Sequence, residues 1–121
     1  MARLLHAENV FSGRAAPGGG DSAVISFPGG QIQAPGRRQG ELKFAVRPES
    51  LRVLPDGTDA SNAVRAQLVR VDYRGSHWHL EFDANVRIVV YLRPDTAGGG
   101  LEAARHYVVQ FPPEAIHVLE D

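Results

Sequence analysis

The sequence predicts an all-β fold, and three observations carry that expectation. First, 13 glycines and 8 prolines in 121 residues gather into four breaks, at Pro17-Gly18-Gly19-Gly20, Pro28-Gly29-Gly30, Pro55-Asp56-Gly57 through Asn62, and Pro94 through Gly100. Gly- and Pro-rich punctuation at short intervals favours many short strands over a few long helices. Second, the runs between the breaks alternate apolar and polar residues with a period of two, the periodicity of a half-buried strand. Third, no long segment has helical spacing.

Asn9 to Ala15 reads as the first strand. Ala23–Phe27 and Gln31–Ala34 flank Pro28-Gly29-Gly30 as a hairpin. Glu41 to Val46 places Leu42, Phe44 and Val46 on one face, and Pro48 ends the strand because proline cannot donate to a ladder. Pro48-Glu49-Ser50-Leu51 suits a single helical turn opened by proline, and Arg52-Val53-Leu54 leads to the Asp56-Gly57 turn. From Ala63, Val64, Ala66 and Leu68 share a face, whereas Val69, Val71 and Tyr73 fall in the opposite phase. A phase slip inside one long strand predicts a β-bulge or sharp bend.

Gly75-Ser76 supplies the next turn. Trp78, Leu80 and Phe82 form an apolar face, Asp83-Ala84-Asn85 turns the chain, and Val86, Ile88, Val90 and Leu92 form another. Leu101 to His106 has room for one or two helical turns. Tyr107, Val109 and Phe111 predict a strand, Pro112-Pro113-Glu114 interrupts it, and Ile116 with Val118 reads as a short closing strand. Three consecutive strands with a bent first member suit a small Greek-key barrel of the OB type, with additional N-terminal strands and a hairpin. No internal repeat stands out in the sequence alone.

Composition narrows the function. The net charge of −1 argues against gripping nucleic acid through backbone charge. With no cysteine, disulfides and zinc–thiolate sites are excluded. Apolar runs such as Ile88 to Leu92 are only strand-length, so direct membrane insertion is not expected. Twelve of the thirteen basic residues are arginine; the sole lysine, Lys43, lies within a strand, and no glycine cluster precedes a lysine as a phosphate-cradling loop requires. No serine sits in a nucleophile-elbow pattern. Neither catalysis nor a cofactor is expected of this chain.

Two constellations stand out. His77-x-His79-x-Glu81-x-Asp83 places four potential ligands on one face of a strand, a spacing able to offer His77, His79 and Glu81 to a zinc or nickel ion. The same alternation is equally the wet face of a half-buried strand. Arg65, Arg70, Arg74, Arg87 and Arg93 fall in the three-strand region; they either converge on an oxyanion or acidic partner, or are dispersed and paired with nearby carboxylates.

Four segments, in order, resemble the regulatory TOBE domain that follows the ATPase domain in many ABC importers of the polyamine, iron, sulfate and sugar type. Phe44 to Val53, containing Arg47-Pro48-Glu49, resembles its R-P-E segment. Val69 to Ser76, with Tyr73 and Gly75, resembles its Y-x-G hairpin. Phe111 to Leu119, with Pro113 and Glu114, resembles its closing strand. Ala2 to Gly13 resembles the hand-over from the ATPase domain. The loop Pro94–Gly100 and the pair Arg105-His106 depart from the pattern.

The resemblance implies one regulatory module over residues 1–121. Residues 1–54 would hold N-terminal strands and the linker to an ATPase domain absent here, and 62–121 the TOBE core. It implies a homodimer through the same domain of a second ATPase subunit, contacts with the parent ATPase domain and membrane permease, and a cytoplasmic location peripheral to the inner membrane. It gives Arg47, Pro48, Glu49, Tyr73, Gly75, Pro113 and Glu114 structural roles. The alternative is a free-standing binder of a small oxyanion or metal, since related TOBE-type domains bind molybdate or tungstate as free-standing pairs. An OB-type nucleic-acid binder ranks last, because aromatics are only 7%.

Overall fold

A computed structural model describes residues 9–93 and 101–119. Its ten strands are β1 (Asn9–Pro17), β2 (Ser22–Phe27), β3 (Gly30–Pro35), β4 (Gly40–Val46), β5 (Arg52–Pro55), β6 (Ala63–Tyr73), β7 (Trp78–Asp83), β8 (Arg87–Leu92), β9 (His106–Gln110) and β10 (Ile116–Leu119). Single 3₁₀ turns at Pro48–Ser50 and Pro113–Ala115 precede β5 and β10. The fold is all-β, as expected. The helical turns expected at Leu101–His106 do not form: the segment holds only a turn at 103–104, and His106 opens β9, whose pairing with β6 captures the residue. The expected hand-over segment before Asn9 and the loop Pro94–Gly100 lie outside the described residues.

The strands make two curled five-stranded sheets, in the orders β10-β4-β1-β2-β3 and β5-β9-β6-β7-β8. These orders are the same topology written twice. In each half the first strand pairs with the second and fourth, and the fourth pairs with a short fifth strand. The fifth strands are exchanged. β5 follows β4 in sequence but pairs with β9, and β10 follows β9 but pairs with β4. The N-terminal strands are therefore no appendage but a full half-barrel.

The duplication is written in the sequence once the structure shows where to look. Pro48-Glu49-Ser50-Leu51-Arg52-Val53-Leu54 is matched by Pro113-Glu114-Ala115-Ile116-His117-Val118-Leu119, with the same turn and the same strand phase. Short strands hide the repeat, and so does unequal spacing: 37 residues separate Asn9 from Val46, but 49 separate their equivalents Asn62 and Phe111.

The two sheets close on one core. Phe11, Phe27 and Phe44 pack with ring centroids 5.3–5.5 Å apart, and Phe111, at the end of β9, packs 6.0 Å from Phe27. Leu68, Leu80, Phe82, Ile88, Val90 and Val109 complete the core from the second sheet. Burying such side chains is the main favourable term in folding. The phase slip in β6 is a β-bulge: Leu68 pairs with Phe82 and Arg70 with Glu81, leaving Val69 as the extra residue. The bulge absorbs the slip, so Val71 and Tyr73 return to the face of Leu80 and Trp78 rather than pointing away.

Two asparagines tie the halves together. Asn9, at the start of β1, donates from Nδ2 to the carbonyls of Val46 (3.2 Å) and Val89 (2.8 Å), and its Oδ1 accepts from Val89 N–H (2.7 Å). Asn62, just before β6, repeats the arrangement. It donates to the carbonyls of Phe111 (2.6 Å) and Gln33 (3.1 Å) and accepts from Gln33 N–H (2.5 Å). Each amide thus latches the end of its own half's fourth strand to the edge strand of the other half, occupying polar groups that an open edge would leave unpaired. Among the described residues no helix is long and apolar enough to cross a membrane.

Candidate functional site

The residues singled out from sequence are dispersed. His79 Nε2 lies 3.3 Å from Glu81 Oε2, but His77 Nδ1 is 2.9 Å from Ser76 Oγ and its ring packs at a tilt against Tyr91, with centroids 4.3 Å apart. Among the described residues no three His, Asp or Glu side chains are grouped to hold a metal ion. Asp83 is exposed at the hairpin end, opposite Arg87.

The arginines do not converge. Arg65 makes a two-pronged contact with Asp56, at 2.9 and 3.2 Å. These hydrogen bonds hold the Asp56 carboxyl below its ordinary 3.8 and raise Arg65 above its ordinary value. Arg70 and Arg74 share Asp72 at 3.0 and 3.7 Å, Arg87 reaches Glu81 at 3.7 Å, and Arg93 is engaged as well. Pairing with neighbouring carboxylates, the bland alternative, describes this region.

The motif residues fall in two places. Tyr73 Oη donates to the carbonyl of Gly75 (2.9 Å), and Gly75 has φ +88°, the left-handed region that glycine enters without strain. Tyr73 and Gly75 therefore clamp a hairpin tip. The two Pro-Glu turns, far apart in sequence, meet. Arg47, Glu49, Ser50, Arg52, Glu114 and His117 line a groove of about 530 Å³, while Pro48 is buried and starts the first turn. Two arginines there face two glutamates, so the groove has little preference for either sign of charge.

A larger groove, of about 890 Å³, opens over the first half-barrel. It arises from strand alternation. Phe11 and Ala15 of β1 point into the core, so Ser12 and Arg14 point out; Phe44 and Val46 of β4 point in, so Glu41 and Lys43 point out. The register sets Ser12 opposite Lys43, and Arg14 opposite both Glu41 and Ser26. Arg38 and Gln39, from the loop before β4, and Leu119, from β10, complete the lining. Three cations and two hydroxyls against one carboxylate give this groove a net positive lining. Neither Arg14 nor Lys43 has an ion-pair partner among the described residues.

Sequence reasoning missed this site because its residues lie on four strands and a loop, and only the pairing register assembles them. Lys43 was visible as the sole lysine, and the alternation of β1 and β4 already gave Ser12, Arg14 and Lys43 outward positions.

The fold and its closing turns define a class. Residues 44–119 match the TOBE domain family, and the chain belongs to that family. Among solved structures the chain is similar to the cytoplasmic molybdate-binding protein ModG in a form with molybdate bound. The TM-score is 0.78 and the identity 15%, and the match covers 96% of this chain and 98% of that one. At that identity the likeness is one of fold. No curated protein matches the chain.

Proposed function

We propose that this chain is a non-catalytic, transport-associated binding module that holds an oxyanion in the groove of its first half-barrel. What carries the proposal is the groove itself: Arg14, Arg38 and Lys43 with the hydroxyls of Ser12 and Ser26, against the single carboxylate of Glu41. Guanidinium, ammonium and hydroxyl groups are the donors that recognise tetrahedral oxyanions. The likeness to a cytoplasmic molybdate-binding protein supports it, because the match spans 96% of this chain and 98% of that one. By the same likeness the chain acts in the cytoplasm.

Calorimetric titration with molybdate, tungstate, sulfate and phosphate tests this. A saturable heat for at least one anion, weakened about tenfold or more by Lys43→Ala, is expected, since one lost charge-assisted contact is worth roughly 1.5–3 kcal/mol. A flat response to all four contradicts it.

One observation favours a second reading, the regulatory domain of an importer's ATPase subunit. The family match begins at Phe44, at the R-P-E segment, and ends at Leu119, on the paired Pro-Glu turn. In that reading the partners are a second ATPase subunit, the parent ATPase domain and the permease. An immunoblot of the source cell separates the two: a membrane-associated band far above 13.1 kDa supports the ATPase reading, and a free band at that mass the binder.

A further inference from the structure

We infer that the anion held by the first half-barrel is the head of a larger organic molecule, an organophosphate or organosulfonate with an apolar portion, rather than a bare inorganic ion. This rests on the oxyanion reading above.

Size comes first. A cavity of about 890 Å³ lies within the roughly 300–1,000 Å³ typical of sites for drug-sized ligands, and an inorganic tetrahedral ion would leave most of it to water. The division of the lining comes second. Ser12, Arg14 and Lys43 stand side by side on β1 and β4 as one polar patch. One flank of the patch is apolar: Leu119 lies directly opposite Lys43 across the β10–β4 ladder, on the other side of Lys43 from Ser12.

Leu119 is 45% exposed, one of four large hydrophobic residues so exposed among the described ones, and it lies in the groove rather than on an open convex surface. An exposed apolar side chain directly beside the lysine is the layout of a site that meets a charged head and a neighbouring hydrocarbon portion of one ligand together. The structurally equivalent Leu54 in the second half is less exposed and faces Val108 instead of a lysine, so the pairing is not a by-product of the repeat.

The test uses the whole chain, inorganic phosphate and phenyl phosphate, with binding followed by calorimetry and mapped by amide chemical-shift changes. Phenyl phosphate is expected to bind at least tenfold tighter than phosphate, with shifts at Ser12, Lys43 and Leu119. Leu119→Ser should remove most of that advantage while leaving phosphate affinity unchanged, and Lys43→Gln should weaken both ligands. Both side chains are exposed, so the variants keep the fold. Equal affinity for the two ligands, or an advantage that survives Leu119→Ser, overturns the inference while the oxyanion reading stands. Binding of neither ligand, nor of molybdate or sulfate, overturns both. Shifts confined to the Pro-Glu groove overturn the placement.

Discussion

The two half-barrels share a strand order, an exchanged fifth strand, a Pro-Glu turn and an asparagine latch, yet their outer faces have nothing in common. Pairing registers make the comparison residue by residue. Ser12 and Lys43 of the first half correspond to Arg65 and Val108 of the second, and Arg14, Glu41 and Ser26 correspond to Gln67, His106 and Asp83. In the second half Arg65 is neutralised by Asp56 and Val108 is buried, so the two positions equivalent to Ser12 and Lys43 offer no unpaired cation. Inward positions are kept apolar: Phe11 with Val64, Phe44 with Val109, Val46 with Phe111. Inward residues fix the architecture, and outward residues are free to make one copy a site and the other a support.

The sharpest way to break the comparison is at the core, where the first half supplies most of the aromatic volume. Phe44→Ala should destabilise by about 3–5 kcal/mol, the usual cost of emptying a buried phenyl position. Val109→Ala should cost less, because it removes fewer buried carbons. Urea denaturation of both variants checks the order, and equal losses would show that the halves contribute alike.

The latches come next. Asn9 is 4% exposed, so Asn9→Ala should cost about 1–3 kcal/mol by leaving polar groups of Val46 and Val89 without their partner. Asn62→Ala should cost less, because Asn62 and Gln33 are more open to water, which replaces the lost bonds. Hydrogen exchange at the Val89 amide reports the loss directly.

Gly13 marks another asymmetry. A β-carbon there would sit 2.8 Å from both Ile25 Cγ2 and the Ser26 carbonyl oxygen, whereas its equivalent in the second half is Ala66. Gly13→Ala should cost about 1–3 kcal/mol through overpacking and should spread β1 from β2 beneath the groove.

Strand existence was legible because alternation and Gly/Pro punctuation act locally. Leu42, Phe44 and Val46 announced β4, and the slip at Leu68–Val69 announced the bulge. The doubling was not legible, because β5 and β10 are four-residue strands whose partners lie across the chain, and exchange is a property of pairing alone. The groove escaped for the same reason. His77-x-His79-x-Glu81 drew the eye as a pattern within one strand, while Ser12, Arg14, Ser26 and Lys43 form a pattern only across three.

The smallest expected effect is at the second half's surface. Asp56 has its folded-state pKa lowered, so its pairing with Arg65 contributes stability above the ordinary 3.8 that is lost as pH falls through the lower folded value. Both groups are exposed, so Arg65→Ala should change the melting temperature slightly near pH 7, and the difference from the parent should vanish in strong acid or high salt. Its anion affinity should equal the parent's.

The most direct test of the central claim is an amide chemical-shift titration of the whole chain with molybdate at about 150 mM salt. Saturable shifts at Ser12, Arg14, Ser26 and Lys43, with Arg65, Gln67 and Val108 unmoved, are the predicted result. Shifts at the second set, at both, or at neither would contradict a site confined to the first half-barrel.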